Sequence, residues 1–132
     1  MPLDERALEV GAWLARARQD LRAARVDLAA DPPLPSDTAF HCQQAVEKAL
    51  KALLTHHDHP FPKTHDIGEL AVACLEHEPA LESLLRSAAP LTEYAWRFRY
   101  PGDLFEPDPN EVAQALDVAD RVLGAVAAAV GD

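Results

Sequence analysis

Val10, Leu14, Ala17, Leu21, Ala24 and Leu28 recur in steps of four and three along the start of the chain. At 100° per residue that spacing lines one face, and it predicts a long helix from Asp4 to Ala30 with Trp13 at the edge of its packing stripe. Asp31-Pro32-Pro33-Leu34-Pro35 ends this helix, because proline lacks the amide donor and disfavours helical geometry in the residue before it. A second stripe follows at Ala39, Cys42, Val46, Ala49, Leu50 and Leu53. It predicts a helix that ends near His57, with Ser36 or Asp37 as its cap. Phe40, Gln44, Glu47 and Lys51 line a second face of the same helix, flanked by His41 and Lys48. A solvated face would carry mixed charges and few large aromatics, so this register reads as a contact surface.

The apolar spacing continues at Ile67, Leu70, Ala71, Cys74 and Leu75, in a helix that begins between Thr64 and Asp66. Glu78-Pro79 interrupts it, and a short helix spans Ala80 to Ala88. Pro90 restarts the chain into a short amphipathic helix with Leu91, Tyr94, Ala95 and Phe98 inside. Tyr100-Pro101-Gly102-Asp103 is a turn. Asp108-Pro109-Asn110-Glu111 is a helix start, with Asp as cap, Pro at the first position and Glu at the third. That last helix buries Val112, Leu116, Ala119, Val122 or Leu123, and Val126. No strand alternation and no internal repeat appear. The pattern predicts an all-α fold: an up-and-down bundle of four long helices plus one or two short ones.

Composition narrows the class. The 132 residues give room for one domain, 1–132, with one core. No apolar run approaches the ~20 residues that span a bilayer. The segment Met1 to Arg6 lacks a basic region followed by an apolar one, so a secretory signal is not expected and the chain reads as cytoplasmic. Cys42 and Cys74, on predicted helices, read as free buried thiols. The net charge of −10 argues against a non-specific nucleic-acid coat. It leaves room for a local basic groove, and Arg16, Arg18, Arg22 and Arg25 cluster on the first helix.

The motif Phe-His-x-Gln-Gln-Ala-x-Glu-Lys-x-Leu-Lys-Ala, from Phe40 to Ala52, resembles the HEPN domain family. Thr64-His65-Asp66-Ile67 and Arg99-Tyr100-Pro101 extend the resemblance, which runs from about Leu8 to about Val126. These are small helical proteins of prokaryotes, often encoded beside a minimal nucleotidyltransferase. The resemblance implies a helical bundle, a homodimer, and a place in a toxin–antitoxin-like or nucleotide-handling pair.

Many members of that family cleave RNA, with an arginine followed four to six residues later by a histidine. This chain departs from the pattern, because no histidine follows His77. No catalytic residue is therefore assigned. Tyr100 does not align with the family's nucleotidylated tyrosine, so that role is not carried over. Two arginines beside Tyr94, Trp96, Phe98 and Tyr100 suit a phosphate with a base stacked on an aromatic ring. The plainer account is that Arg97 and Arg99 pair with acidic residues and steady a helix end. Glu47 to Lys51 is likewise the favourable i,i+4 orientation of a simple helical ion pair.

His56, His57, His59 and His65 invite comparison with metal ligands, but no recognised ligand spacing accompanies them. They read as helix-end and loop histidines, and no metal or cofactor is expected. The expected ligand-binding set is His41, Gln44, Lys48, Lys51, Arg97, Arg99 and Tyr100. The leading expectation is a binding module for nucleotide or RNA, or for a minimal nucleotidyltransferase partner. Two alternatives stand beside it. One is an RNA nuclease in which His41 or His65 replaces the missing histidine. The other is a purely structural protein of self-associating helices.

Overall fold

The computed structural model describes residues 2–97, 101 and 106–132. Among these residues five α-helices follow in order: α1 Leu3–Ala29, α2 Pro35–His56, α3 Ile67–Leu75, α4 Glu82–Ala88 and α5 Pro109–Val130. Two 3-10 segments, Pro79–Leu81 and Ala89–Ala95, flank α4. Among the described residues there is no strand, and no helix is long and apolar enough to cross a membrane.

Helix α2 is the centre of the bundle. It packs along α1 on one side and α5 on another, while α3 and the Ala89–Ala95 segment cover its remaining faces. This explains why its burial exceeds one stripe. Ala39, Cys42, Val46, Ala49, Leu50 and Leu53 are buried as expected, and Ala45, Ala52 and Leu54 join them. Alanine at these positions lets neighbouring helix backbones approach closely, and leucine fills the gaps between them. Gln43, Glu47, Lys51 and Thr55 are buried too. Glu47 and Lys51, read from sequence as parts of an outward contact face, are thus inside the bundle, because elements from both sides close over them.

The α1 stripe is inward at Val10, Leu14, Ala17, Leu21 and Ala24. Leu28 departs from it and is 38% exposed. By that turn α1 has run past the core, and Leu28 faces a proline-lined crevice with Pro32, Pro35 and Pro109. Neither Ser36 nor Asp37 caps α2. Pro35 occupies the first helical turn instead, Leu34 is the cap residue, and no side chain caps the helix. Proline there has no amide to leave unsatisfied, so a cap is less needed.

The other helix starts follow the sequence closely. The Asp66 side chain accepts from the Glu69 amide at the start of α3. Asp108 and Glu111 form a full capping box at α5, with Pro109 inside the first turn. Gly131 ends α5 in the left-handed region at φ 79, and its amide donates to the Ala128 carbonyl. Arg18 with Asp132 and Arg25 with Asp120 tie α1 to α5 across their exposed edges. The segment after Pro90 is a 3-10 helix with Leu91 and Tyr94 buried, spaced by three as three residues per turn require. Phe98, assigned to the same face from sequence, lies outside the described residues.

Candidate functional site at the α1–α2 seam

His41, Gln44, Lys48 and Lys51 fall on one line of α2, with steps of three, four and three. Three of them reach α1. Asp20 is only 8% exposed, yet it sits on the buried flank of α1 opposite this line. Its carboxylate holds both neighbours: His41 Nδ1 lies 3.0 Å from Oδ1, and Lys48 Nζ donates to Oδ2 at 2.5 Å. Asp27 stands 3.8 Å from His41 Nε2. An ammonium carries three donors, so Lys48 keeps donors for a ligand after its bond to Asp20. Gln44 donates to Gln43 Oε1 at 2.7 Å, which fixes its amide.

Further along the line, Lys51 Nζ stands 5.4 Å from the Trp13 ring centroid and 5.9 Å from that of Phe61. The two rings meet edge to face at 6.2 Å. Together with Thr55, His59 and Lys63 they line an open cavity of about 490 Å³. Arg16 lies on the same flank of α1, between Trp13 and Asp20, and makes no ion pair among the described residues. The seam therefore combines Arg16, Lys48 and Lys51 with two aromatic rings, although the chain as a whole is acidic.

On the far edge of α2, Glu47 is the hub of a second polar group. Its carboxylate accepts from His65 Nδ1 at 2.6 Å, from Gln43 Nε2 at 3.3 Å and from Lys51 Nζ at 3.3 Å. Gln43 also donates to the His65 carbonyl at 3.3 Å. Each polar end in this buried group is matched, as desolvated groups require. Lys51 belongs to both groups, with its charge answered by Glu47 and its stem against Trp13.

Arg97 is placed elsewhere, with Glu93 and Glu111 at the start of α5. The hydrogen bond to Glu93 raises its pKa further above the ordinary guanidinium value. Tyr94 donates to Glu111, and burial together with that bond pushes the phenol up as well. Arg99 and Tyr100 lie outside the described residues.

The histidines do not gather as one set. His65 faces Glu47. His56 has its pKa lowered, first by burial and then by the neighbouring His57. His59 meets His77, with Nδ1 and Nε2 2.8 Å apart, and Glu76 stands beside them. Both cysteines are buried free thiols, and burial pushes each up to about 12.

A family profile for the HEPN domain matches residues 10–129. The chain belongs to the HEPN domain family. Searches of curated proteins and of solved structures gave no match. Within this HEPN chain, the helix-two motif divides into two functions of position. Gln43 and Glu47 build the inside of the bundle, whereas His41, Gln44 and Lys48 remain half-buried at the seam. Sequence reasoning missed Asp20, the residue that organises the seam. Its signal was a carboxylate beside Leu21 and one turn from Ala17 and Ala24, on the flank of an apolar stripe.

Proposed function

We propose that this HEPN domain is a non-catalytic binding module that acts as a homodimer and takes a nucleotide or RNA at the α1–α2 seam. The observation that carries the reading is the buried Asp20 carboxylate holding His41 and Lys48 in place. Burying a charge is costly even when it is paired, and an apolar replacement is often as stable. A charged seam kept at that cost suits recognition better than stability. Lys48 and Arg16 supply positive charge for phosphate, and Trp13 and Phe61 supply faces on which a base stacks. Arg97, with Arg99 and Tyr100 close to it in sequence, is the second candidate for a phosphate contact.

A minimal nucleotidyltransferase is the protein partner this reading favours, in a toxin–antitoxin-like pair. Co-expression with such a partner, followed by size-exclusion chromatography with light scattering, tests it. The chain alone should elute at twice its 14.4 kDa mass, and the partner should co-elute with it. Elution as a monomer with no retained partner would reject the dimer and the pairing together.

One observation favours RNA cleavage as a second reading. His65 is 70% exposed while its Nδ1 is held by the buried Glu47 carboxylate. A carboxylate partner favours the tautomer protonated at Nδ1 and leaves Nε2 as a base toward solvent. This reading requires metal-independent RNA cleavage that His65→Ala abolishes. Intact RNA across varied sequences would exclude it.

A further inference from the structure

We propose that His59, Glu76 and His77 form a binding site for a divalent transition-metal ion that clips the α2–α3 loop to the end of α3. Of the three, only His59 stood among the histidines compared with metal ligands from the sequence, and Glu76 and His77 are not at a recognised ligand spacing from it. The fold brings them together. One ligand atom from each residue lies within 4.8 Å of the others. His59 Nδ1 is 2.8 Å from His77 Nε2 and 3.8 Å from a Glu76 carboxylate oxygen. A tetrahedral ion with metal–nitrogen bonds near 2.0–2.1 Å separates two imidazole nitrogens by about 3.3 Å. To admit an ion the two nitrogens part by about 0.5 Å, and the hydrogen bond between them gives way as the shared proton is displaced and both lone pairs turn to the metal.

The backbone holds these residues in position before any ion arrives. Asp58 takes φ 51 and turns the chain out of α2, and the His59 amide donates to the Leu54 carbonyl at 2.9 Å. Beyond α3, the Glu76 amide donates to Ala73 and the His77 amide to Cys74, at 3.3 and 3.0 Å. The His57 ring lies flat on that of His77, with centroids 4.3 Å apart and planes 7° apart. His57 Nε2 is in turn 3.3 Å from a Glu78 carboxylate oxygen. This stacking limits rotation of the His77 ring.

Donor chemistry selects the ion. Two imidazoles with one carboxylate suit zinc, cobalt, nickel or copper, whereas magnesium and calcium prefer oxygen ligands. The Glu76 side chain is 63% exposed, so a fourth, solvent-side position is left for water. His59 also lines the cavity beside Trp13 and Phe61, but the three ligands and their test do not require a nucleotide to bind there.

The test uses untagged full-length protein stripped with a chelator and then titrated with zinc by calorimetry. Cobalt, titrated in parallel, is followed by its visible absorption. The expected result is one ion per chain, a tetrahedral cobalt spectrum, and a melting temperature that rises with zinc and falls back with chelator. His59→Ala and His77→Ala should each weaken binding at least tenfold, while His56→Ala leaves it unchanged. If either alanine variant fails to fold, Glu76→Gln on the exposed carboxylate should still weaken binding and change the cobalt spectrum. Absence of saturable one-to-one binding overturns the proposal. Binding that is equally tight in the folded ligand variants overturns it as well.

Discussion

Replacing Glu47 by alanine should destabilise the domain by about 3–5 kcal/mol, the cost of leaving one member of a buried ion pair alone. The structure sets this magnitude. The Glu47 side chain is 4% exposed and that of Lys51 10%, with 3.3 Å between their charged atoms. At an effective dielectric constant of about 20 their attraction is roughly 5 kcal/mol, and its loss leaves the ammonium desolvated between Trp13 and Phe61. Gln43 loses an acceptor at the same time. The His65 bond adds little, because that ring is mostly in water. A domain of this size has about 5–15 kcal/mol in total, so the variant sits near the edge of folding. With a urea slope near 2 kcal/mol/M, the unfolding midpoint followed by circular dichroism should fall by about 2 M. Adding Lys51→Met to Glu47→Leu should recover most of the loss, since it removes the orphaned charge and fills the space. A loss below about 1 kcal/mol for Glu47→Ala would refute the reasoning, because Lys51 would then be reaching water despite its burial.

Four further outcomes follow from the core, a cap and the thiols. Leu50→Ala and Leu53→Ala, at side chains with no exposed surface, should each cost about 2–5 kcal/mol in urea unfolding, and a cost under 1 kcal/mol would contradict their central placement. Asp108→Ala removes the capping box of α5 and should cost about 1 kcal/mol, with Asp108→Asn largely retaining stability. Cys42 and Cys74 should resist Ellman's reagent in the folded protein and react fully in denaturant, and a thiol that reacts in the native state would show the core to be open. Because their folded-state pKa is raised from 9.0 to about 12, the unfolded chain loses these protons first as the pH climbs. Stability is therefore fully present below pH 9 and falls between pH 9 and 12, by about 1.4 kcal/mol per unit for each thiol. Double replacement by alanine should remove the slope between pH 9 and 10 and leave above pH 10 the part due to the raised Tyr94 phenol.

The helices were legible because their signals are local. The four-three spacing of α1, the Asp-Pro-x-Glu start of α5 and the apolar spacing of α3 from Ile67 depend on neighbours within one or two turns. The inward polar residues were not legible, because burial on a second or third face depends on what packs there. Helix α2 is covered by α1, α3 and α5 together, so Glu47 and Lys51 went inside although their i,i+4 spacing matched a surface pair. Asp20 is the same case on α1, where a partner lysine and histidine arrive from another helix. His59 was weighed as a ligand only with its near neighbours, and its meeting with His77 was not legible for a related reason: the two come from different elements and meet only once the α2–α3 loop folds back. Of the residues expected at the site, His41, Gln44, Lys48 and Lys51 share one line, and Arg97 belongs to the start of α5.

Thermal unfolding with ATP, GTP, UTP, CTP and a short mixed RNA, on the native chain beside Lys48→Ala and Arg99→Ala, bears most directly on the binding-module claim. A ligand bound only by the folded state adds RT ln(1 + [L]/Kd), about 2.7 kcal/mol at a hundredfold excess over Kd. The account predicts a rise in melting temperature with at least one of these ligands, reduced in Lys48→Ala and in Arg99→Ala. No rise with any of them, or a rise that both variants retain in full, would contradict it.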